Sequence, residues 1–191
     1  MKSKLYIIIL FLLTSFTCAA QSEGLLIDKP GKDGQRTIGT YYHYIRKGFT
    51  DTAPVGLSII ADISPEEIKY YLSVKMSNVT FPKGGVFLIK TSDGEVIELS
   101  QLSDNHETKS THYIPNMGFI QQGTGIYPVT QDILNTLNQD GIAKIRIETS
   151  AEVIDREYKE KTTEKYKKEF TAMYNLILRT ISEKKDIYSG F

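Results

Sequence analysis

VFLIKTSDGEVIEL, residues 86–99, decides the fold class. Two apolar, β-rich runs, VFLIKT and EVIEL, stand on either side of Ser92-Asp93-Gly94. Glycine after aspartate supplies the positive φ that a tight hairpin needs. The stretch therefore predicts two strands joined directly, and a direct joint makes them antiparallel.

The same alternation continues on both sides. Upstream, QRTIGTYYHYIRKG (35–48), LSIIADI (57–63) and IKYYLSVKM (68–76) are rich in Thr, Tyr, Ile and Val and read as strands. Ser64-Pro65-Glu66-Glu67 reads as the turn between the last two. Residues 100–126 are polar and irregular, with room for one strand at THYIPNMGFI (111–120). Downstream, YPVTQDILNTLNQDGIAKIRIET (127–149) holds a short helix and a strand. Thr130 caps the helix, Asp132 sits in its first turn, and Gly141 ends it. In the strand, Ala143, Ile145 and Ile147 share one side and Lys144, Arg146 and Glu148 the other. From REYKEK onward the chain reads as one long helix. Its stripe is Tyr158, Tyr166, Phe170, Met173, Ile177 and Ile181. The first half of that helix is mostly charged and reads as surface, and the second half reads as buried.

These elements predict an α+β fold. It would be a mostly antiparallel β-sheet or sandwich of about six to eight strands, with one short helix and a long C-terminal helix packed on it. One domain over residues 35–191 suits the length. Residues 22–34 are rich in Gly, Pro and charge and read as a leader.

The N-terminus speaks to location. Lys2 and Lys4 precede the unbroken apolar run LYIIILFLL (5–13), and TSFTCAA follows. A charged start, a short apolar core and small residues at the exit make a signal peptide over residues 1–20. A spanning helix would need about 20 apolar residues. Export to the periplasm or beyond is expected, with no transmembrane segment after processing. The minority alternative is an outer-membrane lipoprotein anchored through Cys18, although Ser15 and Thr17 match that motif poorly. Cys18 is the only cysteine, so the processed chain would hold no disulfide. The 23 basic and 23 acidic residues balance, which gives no footprint for nucleic acid.

Chemistry-bearing motifs are scarce. The chain has three histidines. His106 and His112, with Asp104 and Glu107 beside them, could assemble a metal site, but the same stretch also reads as a solvated loop. His43 lies among tyrosines on a strand and reads as a packed or edge side chain. No G-x-S-x-G elbow and no phosphate loop occur, and no cofactor is expected. The twelve tyrosines stand out, above all Tyr41, Tyr42 and Tyr44, with Tyr70 and Tyr71 in another strand. Adjacent strand residues point to opposite faces, so one of each adjacent pair is expected outside the core. Amphipathic aromatics suit recognition, and they also suit half-buried strand positions. Lys144 and Arg146 are binding candidates on the same footing: a working face or the wet side of a sheet. Asp51-Thr52-Ala53 matches the Asp–Ser/Thr–small-apolar acceptor of bacterial O-glycosylation, which makes Thr52 a candidate.

Three stretches together carry a resemblance: DGQRTIGT with GFTD (33–51), LIKTSDGEVIEL (88–99) and YPVTQDILNTLNQDGIAKIRIE (127–148). Gln21 after Ala19-Ala20 and the ending IYSGF add to it. The chain resembles small secreted proteins of gut Bacteroidetes of uncharacterised activity. The resemblance implies location and architecture and brings no catalytic residues with it. The functional expectation is a secreted or periplasmic, non-enzymatic binding domain for a protein or glycan partner. The alternatives are a hydrolase or metal-dependent enzyme acting on polysaccharide or peptide, and a structural or oligomeric envelope component.

Overall fold

A computed structural model describes residues 25–32, 34–46, 54–103, 112–114, 118–120 and 122–188. In chain order the elements are β1 (Leu25–Pro30), β2 (Arg36–Thr40), β3 (His43–Ile45), β4 (Val55–Ile63), β5 (Ile68–Ser77), β6 (Val86–Thr91) and β7 (Val96–Ser100). Then come β8 (His112–Ile114), β9 (Gly118–Ile120), β10 (Gln122–Val129), α1 (Gln131–Asp140), β11 (Ile142–Glu148), β12 (Val153–Glu157) and α2 (Glu160–Tyr188). Sheet 1 runs β1-β2-β4-β5-β10, with β3 also on β4. Sheet 2 runs β12-β11-β6-β7, and β8 pairs with β9. Every described pairing is antiparallel.

Strand alternation places the core. Val55, Leu57, Ile59 and Ala61 of β4 point inward, as do Tyr70, Leu72, Val74 and Met76 of β5. The register sets Leu57 against Val74, Ile59 against Leu72 and Ala61 against Tyr70. Sheet 2 contributes Phe87, Ile89, Ile97, Leu99, Ile145, Ile147 and Ile154. The rings of Phe87 and Tyr127 join the two sheets, with centroids 5.2 Å apart and planes tilted by 59°. Burying each of these large side chains contributes about 1.5–3 kcal/mol.

The short helix and the Asp-Gly hairpin form as read. The Thr130 hydroxyl accepts from the Ile133 N–H at 3.2 Å, and Leu134 and Leu137 are fully buried. At the β6–β7 turn Gly94 takes φ 102°, the Gly94 N–H donates to the Thr91 carbonyl, and the Thr91 hydroxyl holds the Asp93 carboxylate. The long helix α2 packs on β2, β3, β4, β11 and α1. Thr163, Tyr166, Phe170, Met173, Tyr174 and Ile177 face inward, so the charged first half is docked as well as the apolar second half. The Tyr166 hydroxyl donates to the Tyr44 carbonyl at 2.8 Å and accepts from the Arg46 N–H at 3.0 Å. It ties α2 to the end of β3. No helix among the described residues is long and apolar enough to cross a membrane.

The strand count and three stretches depart from the expectation. Twelve strands form among the described residues, more than the six to eight expected. Residues 25–30, read as leader, pair with β2 as the edge strand β1. Residues 122–126, read as irregular, form with residues 127–129 the strand β10, which pairs with β5 along its whole length. Glycines hid this strand, and packing explains them. A Cβ at Gly123 would lie 1.9 Å from the Val79 carbonyl oxygen, and one at Gly125 would lie 3.1 Å from the buried Phe81 ring. Residues 153–157, partly read as helix, form β12 on β11, where a charged alternating segment finds cross-strand partners. The free edge of β10 is covered: the Leu102 N–H donates to the Ile126 carbonyl, and the Gln101 side chain accepts from the Ile126 N–H. Pro128, which has no N–H to give, sits in that edge strand.

Candidate functional site

One strand read over 35–48 is two strands in the structure, and the break makes the candidate surface. β2 pairs with residues 60–63 of β4, and β3 pairs with residues 55–57 of the same strand. Thr40 bridges the gap between them. Its hydroxyl accepts from the Ile59 N–H at 3.1 Å, and its carbonyl accepts from the Ser58 hydroxyl at 2.8 Å. Tyr41 and Tyr42 are released from the ladder at this point.

The face of sheet 1 turned away from the core receives Tyr42 and, from β3, Tyr44. Its register rows are Gly56, Lys75 and Thr124, then Ser58, Ser73 and Ile126, then Ile60, Tyr71 and Pro128, then Thr37, Asp62 and Lys69. Tyr42 lies across the middle of this face, with its hydroxyl 2.7 Å from the Ser73 Oγ. Its ring carries the Lys75 ammonium 4.8 Å from the centroid, a cation–π distance. Ser58 and Ser73 are buried beneath it. The Tyr44 ring packs on Gly56, 2.9 Å from where a Cβ would stand. Tyr41 and Tyr44 remain 53% and 40% exposed, enough ring for a partner to touch. Burial raises the Tyr42 and Tyr44 hydroxyls above their ordinary values, so both stay neutral hydrogen-bonding groups at physiological pH. Of the Tyr70–Tyr71 pair, Tyr70 is buried and Tyr71 is half-buried on the outer face, as strand alternation requires.

The same face ends in a concavity of about 390 Å³ at the turn end of the sheet. Thr37, Asp62, Lys69 and Tyr71 line it together with Gln35 and Glu67. The Thr37 hydroxyl donates to the Asp62 carboxylate at 2.6 Å. Alternation in β4 and β5 could have placed Asp62 and Tyr71 outside the core. That Thr37 joins them depends on β2 lying beside β4, and no local signal in the sequence gives that neighbour.

Lys144 and Arg146 lie elsewhere, on the outer side of sheet 2, and the structure does not bring them to the tyrosines. Arg146 grips Asp155 of the neighbouring strand through two bonds of 2.9 and 2.8 Å. That grip raises the guanidinium and holds the Asp155 carboxyl below the ordinary carboxylate value. Lys144 stands in register with Glu157, and Glu148 accepts from the Val86 N–H at 3.1 Å. This face is occupied with its own cross-strand partners. His43 faces α2, with its Nδ1 3.7 Å from the Glu169 carboxylate, and so is an edge side chain meeting a helix.

Thr52, Asp104, His106 and Glu107 lie outside the described residues, and His112 is placed only as backbone in β8. No group of three or more His, Cys, Asp or Glu that could hold a metal ion occurs among the described residues. No family model matches the chain, and no curated protein or solved structure matches it.

Proposed function

We propose that the chain is an exported, non-enzymatic recognition domain that works through the outer face of sheet 1. Export rests on the charged, apolar and small-residue pattern of residues 1–20. The observation that carries recognition is the break between β2 and β3, which spends Tyr41, Tyr42 and Tyr44 outside the core. Tyr42 is held in place by Ser73 and Lys75, so the surface is organised before a partner arrives. A preorganised aromatic surface loses little freedom on binding. The titratable groups on this face also favour holding over proton transfer. Asp62 is anchored by Thr37, Lys69 is raised by Glu67, and Tyr42 and Tyr44 are kept neutral.

Printed arrays of neutral glycans, acidic glycans and peptides test this reading. The protein should bind a subset, and mass spectrometry of the eluted ligands should find their masses unchanged. Cleaved or otherwise altered ligands would show turnover and sink the non-enzymatic reading.

A further inference from the structure

The concavity at the turn end of sheet 1 has a lining that selects a ligand class. We propose that it is a subsite for a neutral, hydroxyl-rich saccharide. This rests on reading the outer face of sheet 1 as the working surface and adds the chemistry of what it holds.

Two turns and three strands build the site. One turn closes through the Gly31 N–H on the Gln35 carbonyl at 2.8 Å and the Gln35 N–H on the Lys32 carbonyl at 3.0 Å. The other closes through the Ser64 N–H on the Glu67 carbonyl at 2.9 Å and the Glu67 N–H on the Ser64 hydroxyl at 3.1 Å. These turns meet, since a Cβ on Gly34 would stand 3.7 Å from the Pro65 ring. Between them β2, β4 and β5 present Thr37, Asp62, Lys69 and Tyr71. A cavity of about 390 Å³ falls within the range of small-molecule sites, roughly 300–1,000 Å³.

Charge narrows the class. The lining holds two cations, Arg36 and Lys69, and three carboxylates, Asp62, Glu66 and Glu67. Both cations are already engaged: Arg36 forks onto Asp28 with two bonds of 2.7 Å, and Lys69 meets Glu67 at 2.7 Å. A phosphate or uronate would have to take a cation from its partner while facing the remaining carboxylates. A cationic ligand would gain from the Asp62 and Glu66 carboxylates but would have to lie beside the Lys69 ammonium and the Arg36 guanidinium. A neutral ligand meets neither penalty and finds donors and acceptors side by side. Asp62 is the main acceptor. Thr37 fixes its plane, and a carboxylate has lone pairs for more than one donor. Gln35 offers both amide functions. Tyr71 supplies a half-buried ring for the apolar side of a sugar. The lining is mainly polar, with Ile63 its one aliphatic side chain, so it has no deep slot for the side-chain anchors a peptide uses.

The test is an amide-shift titration of ¹⁵N-labelled protein. The probes are maltotriose, cellotriose, laminaritriose, mannotriose, xylotriose and chitotriose, with trigalacturonic acid and tri-lysine as charged controls. At least one neutral trisaccharide should move the amides of residues 35–37 and 62–71. Tyr71→Ala should weaken that binding about tenfold or more, and Asp62→Asn about fivefold or more, with the core amides unchanged. Tyr71→Phe should keep the affinity within about threefold, because the ring remains. Shifts centred on Tyr42 and Tyr44 instead would overturn the groove assignment and leave the recognition face standing. Tighter binding of either charged control, or saccharide binding indifferent to both variants, overturns the ligand class. No response to any neutral saccharide overturns it as well, while the array experiment decides separately whether the face binds anything.

Discussion

Replacing Gly123 with alanine should destabilise the fold far more than its single added methyl suggests. The new Cβ would stand 1.9 Å from the Val79 carbonyl oxygen and 3.0 Å from the Val79 carbonyl carbon. An ordinary carbon–oxygen contact is about 3.3 Å, so backbone must move by roughly 1.4 Å. Neither partner yields easily. Gly123 is in register with Met76 of β5, and Met76 is 1% exposed. Overpacking a core costs about 1–3 kcal/mol when side chains can adjust, and here the obstacle is main chain, so the upper end of about 3 kcal/mol applies. For a chain of this size that lowers the melting temperature by about 6–12 °C. Urea unfolding should show a lower midpoint with an unchanged slope. Gly125→Ala is the internal comparison. Its Cβ would meet the Phe81 ring at 3.1 Å and the Tyr127 ring at 2.8 Å, both side chains, so its cost should be smaller, about 1–2 kcal/mol. A Gly123→Ala protein within about 0.5 kcal/mol of the parent would refute the packing of residue 79 over β10.

Three further outcomes follow from the same contacts. Tyr166→Phe should cost about 1–2 kcal/mol in urea unfolding, because the Tyr44 carbonyl and the Arg46 N–H lose a shared partner; an unchanged midpoint would mean that α2 is not tied to β3. Asp93 and Asp155 are held below the ordinary carboxylate value, chiefly by hydrogen bonds from Thr91 and Arg146 respectively. Their contribution to stability is therefore present above the unfolded value, about pH 3.9, and lost as pH falls through the lower folded values. Asp155→Asn should flatten part of that acid decline, and an unaltered acid profile would contradict the assignment. Elemental analysis of the purified protein should find no stoichiometric zinc; one zinc per chain, lost together in Asp104, His106 and His112 variants, would instead support the metal-dependent alternative.

Legibility in the sequence tracked how local each signal was. Ser92-Asp93-Gly94 and the Thr130 and Gly141 caps state their geometry within a few residues, and the structure keeps both the hairpin and the helix. The helical stripe of Tyr166, Phe170, Met173 and Ile177 likewise predicted the buried side of α2. β10 was illegible because Gly123 and Gly125 answer to Val79 and Phe81, which sit more than forty residues earlier in the chain. β12 was illegible because a charged segment suits a helix as readily as an edge strand, and only Arg146 across the ladder decides. Strand alternation separated buried Tyr70 from half-buried Tyr71. The groove did not announce itself, because Thr37, Asp62 and Tyr71 come from three strands whose order is a tertiary fact. Of the two charged candidates on β11, Arg146 is bonded across the sheet to Asp155 of β12, and Lys144 stands in register with Glu157.

Two substitutions on opposite surfaces test the central claim most directly. Tyr44→Ser removes an exposed ring from the outer face of sheet 1, and Arg146→Ser removes a charge from the outer face of sheet 2. Both should fold, since each side chain is largely outside the core. Measured against the same array ligands, Tyr44→Ser should lose binding by about tenfold and Arg146→Ser should match the parent. Retained binding in Tyr44→Ser together with loss in Arg146→Ser would place the working surface on sheet 2 and contradict the account.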